Sequence, residues 1–125
     1  MEEIGIESTM VEAIRSGDKT IEVRLGKPRF LTVQEGDLLD VREDFWFEGK
    51  ILESLSHALT LRVTEILYFE SLEELFGAVD FEAAIPTAKT AKEAVAAYRQ
   101  YYSMEDERTY GVVAFLVEPV TDNEG

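Results

Sequence analysis

The chain has 125 residues, 46% apolar and 30% charged, which suits one folded domain and excludes a low-complexity, disordered chain. It has no cysteine and one histidine, His57, which excludes disulfides, thiolate zinc sites, cysteine nucleophiles and multi-histidine metal centres. With 26 acidic against 12 basic residues the net charge is −14, the wrong sign for a general coat on nucleic acid.

No cofactor or metal is expected from this composition. No apolar run reaches the ~18–20 residues that cross a bilayer, and the N-terminal MEEIGIE lacks the basic and apolar regions of a signal peptide. A cytoplasmic protein is expected, without membrane association. It reads as a single domain over residues 1–125 with a core over about 8–118 and loose, acidic ends.

In chain order, Thr9-x-x-Glu12 has the form of a capping box and predicts a short helix that stops at Gly17. The period then changes. Ile21, Val23 and Leu25 alternate with Thr20, Glu22 and Arg24, which predicts a half-buried strand over 19–25. Lys27-Pro28 breaks it, and RFLTV at 29–33 reads as another short strand. Glu35-Gly36-Asp37 is a turn into a strand over 38–43, and Phe45-Trp46-Phe47 runs into a second turn at Glu48-Gly49-Lys50.

The longest strand candidate spans 58–69, with His57 before it as a turn or surface residue. Ser71-x-x-Glu74, Thr90-x-x-Glu93 and Ser103-x-x-Asp106 are three more capping boxes, each opening a short helix. Gly111–Val117 reads as a buried closing strand ahead of the polar tail TDNEG. Five to six strands with three to four short helices, mostly joined without βαβ spacing, predict a mixed α+β barrel with a cleft.

The charge is uneven. Residues 13–32 carry five bases (Arg15, Lys19, Arg24, Lys27, Arg29) against two acids, a net of +3, whereas the other 105 residues net −17. A local basic island of this kind suits one small anionic ligand or a few phosphates. Within it, Glu22 and Arg24 fall on one strand face ~6–7 Å apart, close enough for Glu22 to orient the guanidinium. The plain alternative is an exposed ion pair that contributes only ~0–1 kcal/mol.

A short helix, then Gly17-x-Lys19-x-x-Glu22-x-Arg24 on a strand, then the Gly36-Asp37 turn, resembles the ASCH domain, a relative of the RNA-binding PUA domains. The stretches 101–105 and 110–113 are similar to that family's C-terminal segment, so the resemblance covers about residues 8–118. It implies a small PUA-like β-barrel with a cleft built on the motif strand. It also implies a domain that binds RNA or a nucleotide-like ligand there through Lys19, Thr20, Glu22, Arg24, Arg29 and Ser103. Trp46, Tyr101, Tyr102 and Tyr110 are the candidates for stacking on bases.

One branch of the family hydrolyses the amide of acetylated cytidine, with the motif lysine as base and a threonine three residues later as nucleophile. Lys19 matches the lysine, but Glu22 stands in the threonine's place. A carboxylate cannot replace that hydroxyl in acyl transfer, so Lys19 and Glu22 would be catalytic only if Glu22 activated water. A hydrolase acting on modified nucleosides or on RNA is thus the alternative to a binding domain. A protein-interaction module, suggested by the acidic body, is the third reading.

Overall fold

The computed structural model describes residues 1–121. Five strands form one curled sheet in the order β1-β3-β4-β5-β2. β1 (Glu2–Glu7) runs parallel to β3 (Leu38–Phe47), which is antiparallel to β4 (Lys50–Phe69). β5 (Val112–Pro119) lies antiparallel between β4 and β2 (Ile21–Leu25). β1 and β2 are therefore the two outer strands. Six short helices complete the chain: α1 (Ser8–Ser16), α2 (Pro28–Leu31), α3 (Leu72–Ala78), α4 (Phe81–Ala84), α5 (Ala91–Arg99) and α6 (Met104–Tyr110).

The sheet has two cores because β2 and β5 bury both faces. Inside the curl, Ile4, Ile6, Leu39, Val41, Val113 and Phe115 pack with Val11 and Ile14 of α1. Behind it, Ile21, Val23, Leu25, Val112 and Ala114 pack against Leu72, Leu75, Phe76 and Ala94 of α3 and α5. The alternation over 21–25 thus turns the apolar side chains toward the helices. Glu22 and Arg24 are left facing the sheet's seam.

Several expectations are corrected. Residues 2–7, read as a loose end, form β1, whose acidic positions hide the alternating Ile4 and Ile6, exposed by 1% and 4%. Residues 29–33 hold a helical turn rather than a strand. Pro28 sits in the first turn of α2 and presets its φ, and the amides of Phe30 and Leu31 donate to Lys27 O. Thr9 does not cap α1, which starts at Ser8 with no side-chain cap.

The other three boxes form as read. Ser71, Thr90 and Ser103 accept from the amides of Glu74, Glu93 and Asp106. The helix count exceeds the three to four expected because α2 and α4 are single turns, the latter capped by Asp80. β4 begins at Lys50 because Glu48 (φ 50°) and Gly49 (φ 78°) make a two-residue hairpin turn with both φ values positive. His57 also has a positive φ, 56°, and its exposed ring pairs with Asp40 at 2.8 Å. The C-terminal residues 122–125, read as part of a polar tail, lie outside the described residues.

Candidate functional site

The seam between β1 and β2 is spanned by a side chain instead of a backbone ladder. Arg24 Nη2 donates to Gly5 O at 2.8 Å. A cleft of about 400 Å³ opens at this seam, with Gly5, Ile6, Glu7 and Met10 on one wall and Lys19, Glu22 and Arg24 on the other. Asp44 and Trp46 of β3, Ile85, and Ala97, Tyr98, Gln100, Tyr101 and Tyr102 from α5 and the turn after it complete the lining.

Lys19 is 3% exposed, unusual for a lysine. Its Nζ donates to Ile21 O at 2.7 Å and Ala84 O at 2.6 Å, tying β2 to α4. Burial pushes its pKa below the usual lysine value; Glu22 opposes that shift and Arg24 adds to it. Tyr102 Oη donates to Val23 O at 3.1 Å, so two carbonyls of the β2 edge are occupied by side chains. Edge strands closed in this way do not recruit further strands. Tyr102 stacks on Tyr98, and Tyr98 on Phe76, with centroid separations of 5.9 and 5.8 Å. Burial, the leading cause, raises the Tyr102 phenol to about 12, and burial raises Tyr98 well above the usual range too.

Two acidic side chains line the cleft close to full burial, Glu22 at 5% exposure and Asp44 at 4%. Asp44 has partners on both oxygens: Arg42 donates to each of them at 2.7 and 2.9 Å, and Ser54 donates at 2.8 Å. These bonds, Arg42's first, hold its pKa below the usual value. Glu22 has no such partners. Its Oε1 lies 3.6 Å from Arg24 Nε, and both its Oε2 and Arg24 Nε are buried without a hydrogen bond among the described residues. Burial lowers the Arg24 pKa, but Glu22, Tyr102 and Tyr98 outweigh it and the net shift is upward.

The basic island does not assemble into one patch. Of its five cations only Lys19 and Arg24 line the cleft, beside three acids, Glu7, Glu22 and Asp44. Arg15 pairs with Glu12 and Glu43, Arg29 lies 3.7 Å from Glu2 and over the Phe30 ring, and Lys27 covers Tyr110. Thr20, Arg29 and Ser103 are not among the lining residues. Thr20 and Ser103 are exposed, and the Ser103 hydroxyl serves as the cap of α6. Trp46 (45% exposed), Tyr101 (66% exposed) and the partly buried Tyr102 line the cleft. Sequence reasoning missed Tyr98, Asp44 and the backbone of Gly5. The run Tyr98, Tyr101, Tyr102, at helical spacing, was the signal available for the first.

A curled five-stranded α+β sheet flanked by short helices, with a cleft at its seam, is a PUA-like half-barrel. The model of the ASCH domain matches residues 4–121, and the chain belongs to that family. Its fold is similar to the crystal structure of hypothetical protein PH0355 (TM-score 0.77, 31% identity, covering 96% of this chain and all of that one). It is also similar to the solution NMR structure of protein PF0455 from Pyrococcus furiosus (TM-score 0.72, 29% identity, covering 95% and 96%). A ZmASCH mutant protein from Zymomonas mobilis shares the fold at 19% identity (TM-score 0.60, covering 98% of this chain and 76% of that one). No curated protein matches the sequence. Among the described residues, no helix is long and apolar enough to cross a membrane.

Proposed function

We propose that this domain binds single-stranded RNA by taking one unstacked nucleotide into the seam cleft. The observation that carries this reading is a cleft of about 400 Å³ with exposed Trp46 and Tyr101 and buried Lys19, Glu22 and Arg24 in its lining. A volume in the range of small-ligand sites, aromatic surfaces for a base and convergent polar groups are what recognition of a splayed base requires. Phosphate has a minor part, because the cations of the cleft are already partnered and its acids outnumber them. Affinity for a short RNA is therefore expected to fall gently with salt, with a slope of log K on log salt no steeper than about −1 to −2.

Titrating a labelled single-stranded RNA hexamer at two salt concentrations tests the reading. Trp46→Ala, at an exposed position, removes stacking worth about 1–3 kcal/mol and weakens binding about tenfold or more while the fold persists. Absence of binding at low salt, or indifference to Trp46→Ala and Lys19→Ala together, overturns it.

The lowered Lys19 pKa favours one alternative, hydrolysis of an acylated nucleoside with Lys19 as base. Against it, Nζ is held by two carbonyls and Glu22 stands in the place of the nucleophile. Turnover of acetylated cytidine that Lys19→Ala abolishes would establish that chemistry.

A further inference from the structure

We infer that two copies of this chain associate edge to edge through β4, in a weak two-fold dimer built on the far end of the β3–β4 hairpin. The hairpin outruns its neighbours. β1 accompanies β3 only as far as Asp44. β5 joins β4 only from Leu61, with Val120 N reaching Thr60 O. Residues 45–55 are therefore a two-stranded ribbon, and the outer edge of β4 over residues 50–55 pairs with no strand among the described residues. Two strands alone are marginal in water, whereas three or more support one another. Antiparallel pairing of two ribbons makes a sheet of four.

The ribbon carries the side chains of a contact surface. Six of the thirteen large hydrophobic residues exposed among the described residues fall in its eleven positions: Phe45, Trp46, Phe47, Ile51, Leu52 and Leu55. That is a concentrated patch rather than the scatter normal on a protein surface. Proline, clustered charge and bulges are the usual guards of an open edge. Over residues 50–55 β4 has one lysine, one glutamate, no proline and a single bulge, at the Phe45/Trp46 register shift.

Charge favours a second copy as the occupant. Residues 45–57 carry a net −1 against −13 for the other 112 residues, so copies joined here meet at a nearly neutral segment of an acidic protein. The strand is also its own complement. Lys50 and Glu53 lie across the ladder from Phe47 and Phe45 and so share a face of the ribbon. A two-fold axis at Leu52 sets the Leu52 side chains of the two copies together and brings each Lys50 beside Glu53 of the partner subunit. An axis at Glu53 would instead oppose two carboxylates. At ~200 Å² for a fully exposed residue, Ile51, Leu52 and Leu55 offer roughly 330 Å² per copy. With the paired backbone, two copies bury about 1,000 Å², the size of a transient interface. Because Trp46 belongs to β3, on the other side of the ribbon, this contact is separate from the RNA-binding reading.

Sedimentation velocity of the full chain from about 1 μM to about 1 mM, at low and high salt, is the test. The mass should rise from one chain to two, with a midpoint of tens of micromolar at high salt. Salt should strengthen the association, because each copy carries −14 and screening weakens their repulsion. Leu52→Lys, at a position 70% exposed, should weaken it at least about tenfold with unchanged circular dichroism. Glu53→Lys should weaken it too, and the double variant Lys50→Glu/Glu53→Lys should restore it to within about threefold of wild type. A single-chain mass at every concentration and salt overturns the dimer. Association that Leu52→Lys leaves untouched overturns its placement on β4. A double variant as weak as Glu53→Lys overturns the two-fold register.

Discussion

Glu22 and Asp44 line the same cleft, are equally buried, and stand in opposite situations. Asp44 is held by three hydrogen bonds from Arg42 and Ser54. Glu22 has one loose contact, Arg24 Nε at 3.6 Å, and an oxygen with no hydrogen bond among the described residues. The Arg42–Asp44 pair fits where it does because Gly5 lacks a side chain; a Cβ there would lie 2.2 Å from Arg42 Nη2 and 2.6 Å from Asp44 Oδ2. The contrast separates a carboxylate that the fold satisfies from one that it encloses without a hydrogen bond among the described residues. Burial alone does not make that distinction; the count of donated hydrogen bonds does.

The largest effect is expected from removing the group between Glu22 and the rest of the protein. Arg24→Ala takes away the counter-charge of Glu22 and the bridge from β2 to Gly5 O. Leaving one member of a buried pair uncompensated costs about 3–5 kcal/mol, which a shift in the denaturation midpoint would register. An unchanged midpoint would mean that the seam is held by other contacts.

Asp44→Asn comes next, at about 2 kcal/mol for the charge-assisted bonds lost at neutral pH. Its pH dependence has a definite sign. Because the folded-state pKa of Asp44 lies below the ordinary 3.8, its contribution is complete above that value and declines as pH falls through the folded pKa. Stability curves of the wild type and Asp44→Asn should therefore run apart at pH 6 and converge in strong acid. A gap that persists at low pH would show that Asp44 acts by shape rather than by charge.

Tyr102→Phe leaves Val23 O without its donor and should cost about 1 kcal/mol. The raised phenol adds a mark at the other end of the pH scale. An acid whose pKa is higher when folded binds its proton more tightly there, so stability falls as pH rises from about 10, the ordinary value, toward about 12. Tyr102→Phe removes its share of that alkaline decline, and melting curves at pH 9 and 11 would reveal it.

The part of this site legible from sequence was the part governed by local periodicity. Alternation over 21–25 separated the apolar Ile21, Val23 and Leu25 from Glu22 and Arg24, and the capping pairs at Ser71, Thr90 and Ser103 announced their helices. What escaped reading depends on partners distant in the chain. Lys19 is buried because Ala84 O, 65 residues away, accepts from it. Arg42 and Asp44, two residues apart on a strand, look like a solvated pair until Gly5 and Ser54 are placed beside them. The basic island of residues 13–32 was continuous only in sequence, since the fold sends Arg15, Lys27 and Arg29 to separate partners.

The smallest stability change and the clearest functional change are expected from one substitution, Glu22→Gln. Gln keeps the shape of Glu22, and Arg24, though it loses its counter-charge, still donates to Gly5 O, so the cost should be well below that of Arg24→Ala, at about 1 kcal/mol. Titration of the single-stranded RNA hexamer against this variant, run beside its thermal melt, is the most direct measurement of the site's meaning. The expected result is a near-normal melt with binding weakened at least about tenfold. A variant that binds that RNA as wild type does, or that loses binding only because it unfolds, would contradict the role given to Glu22.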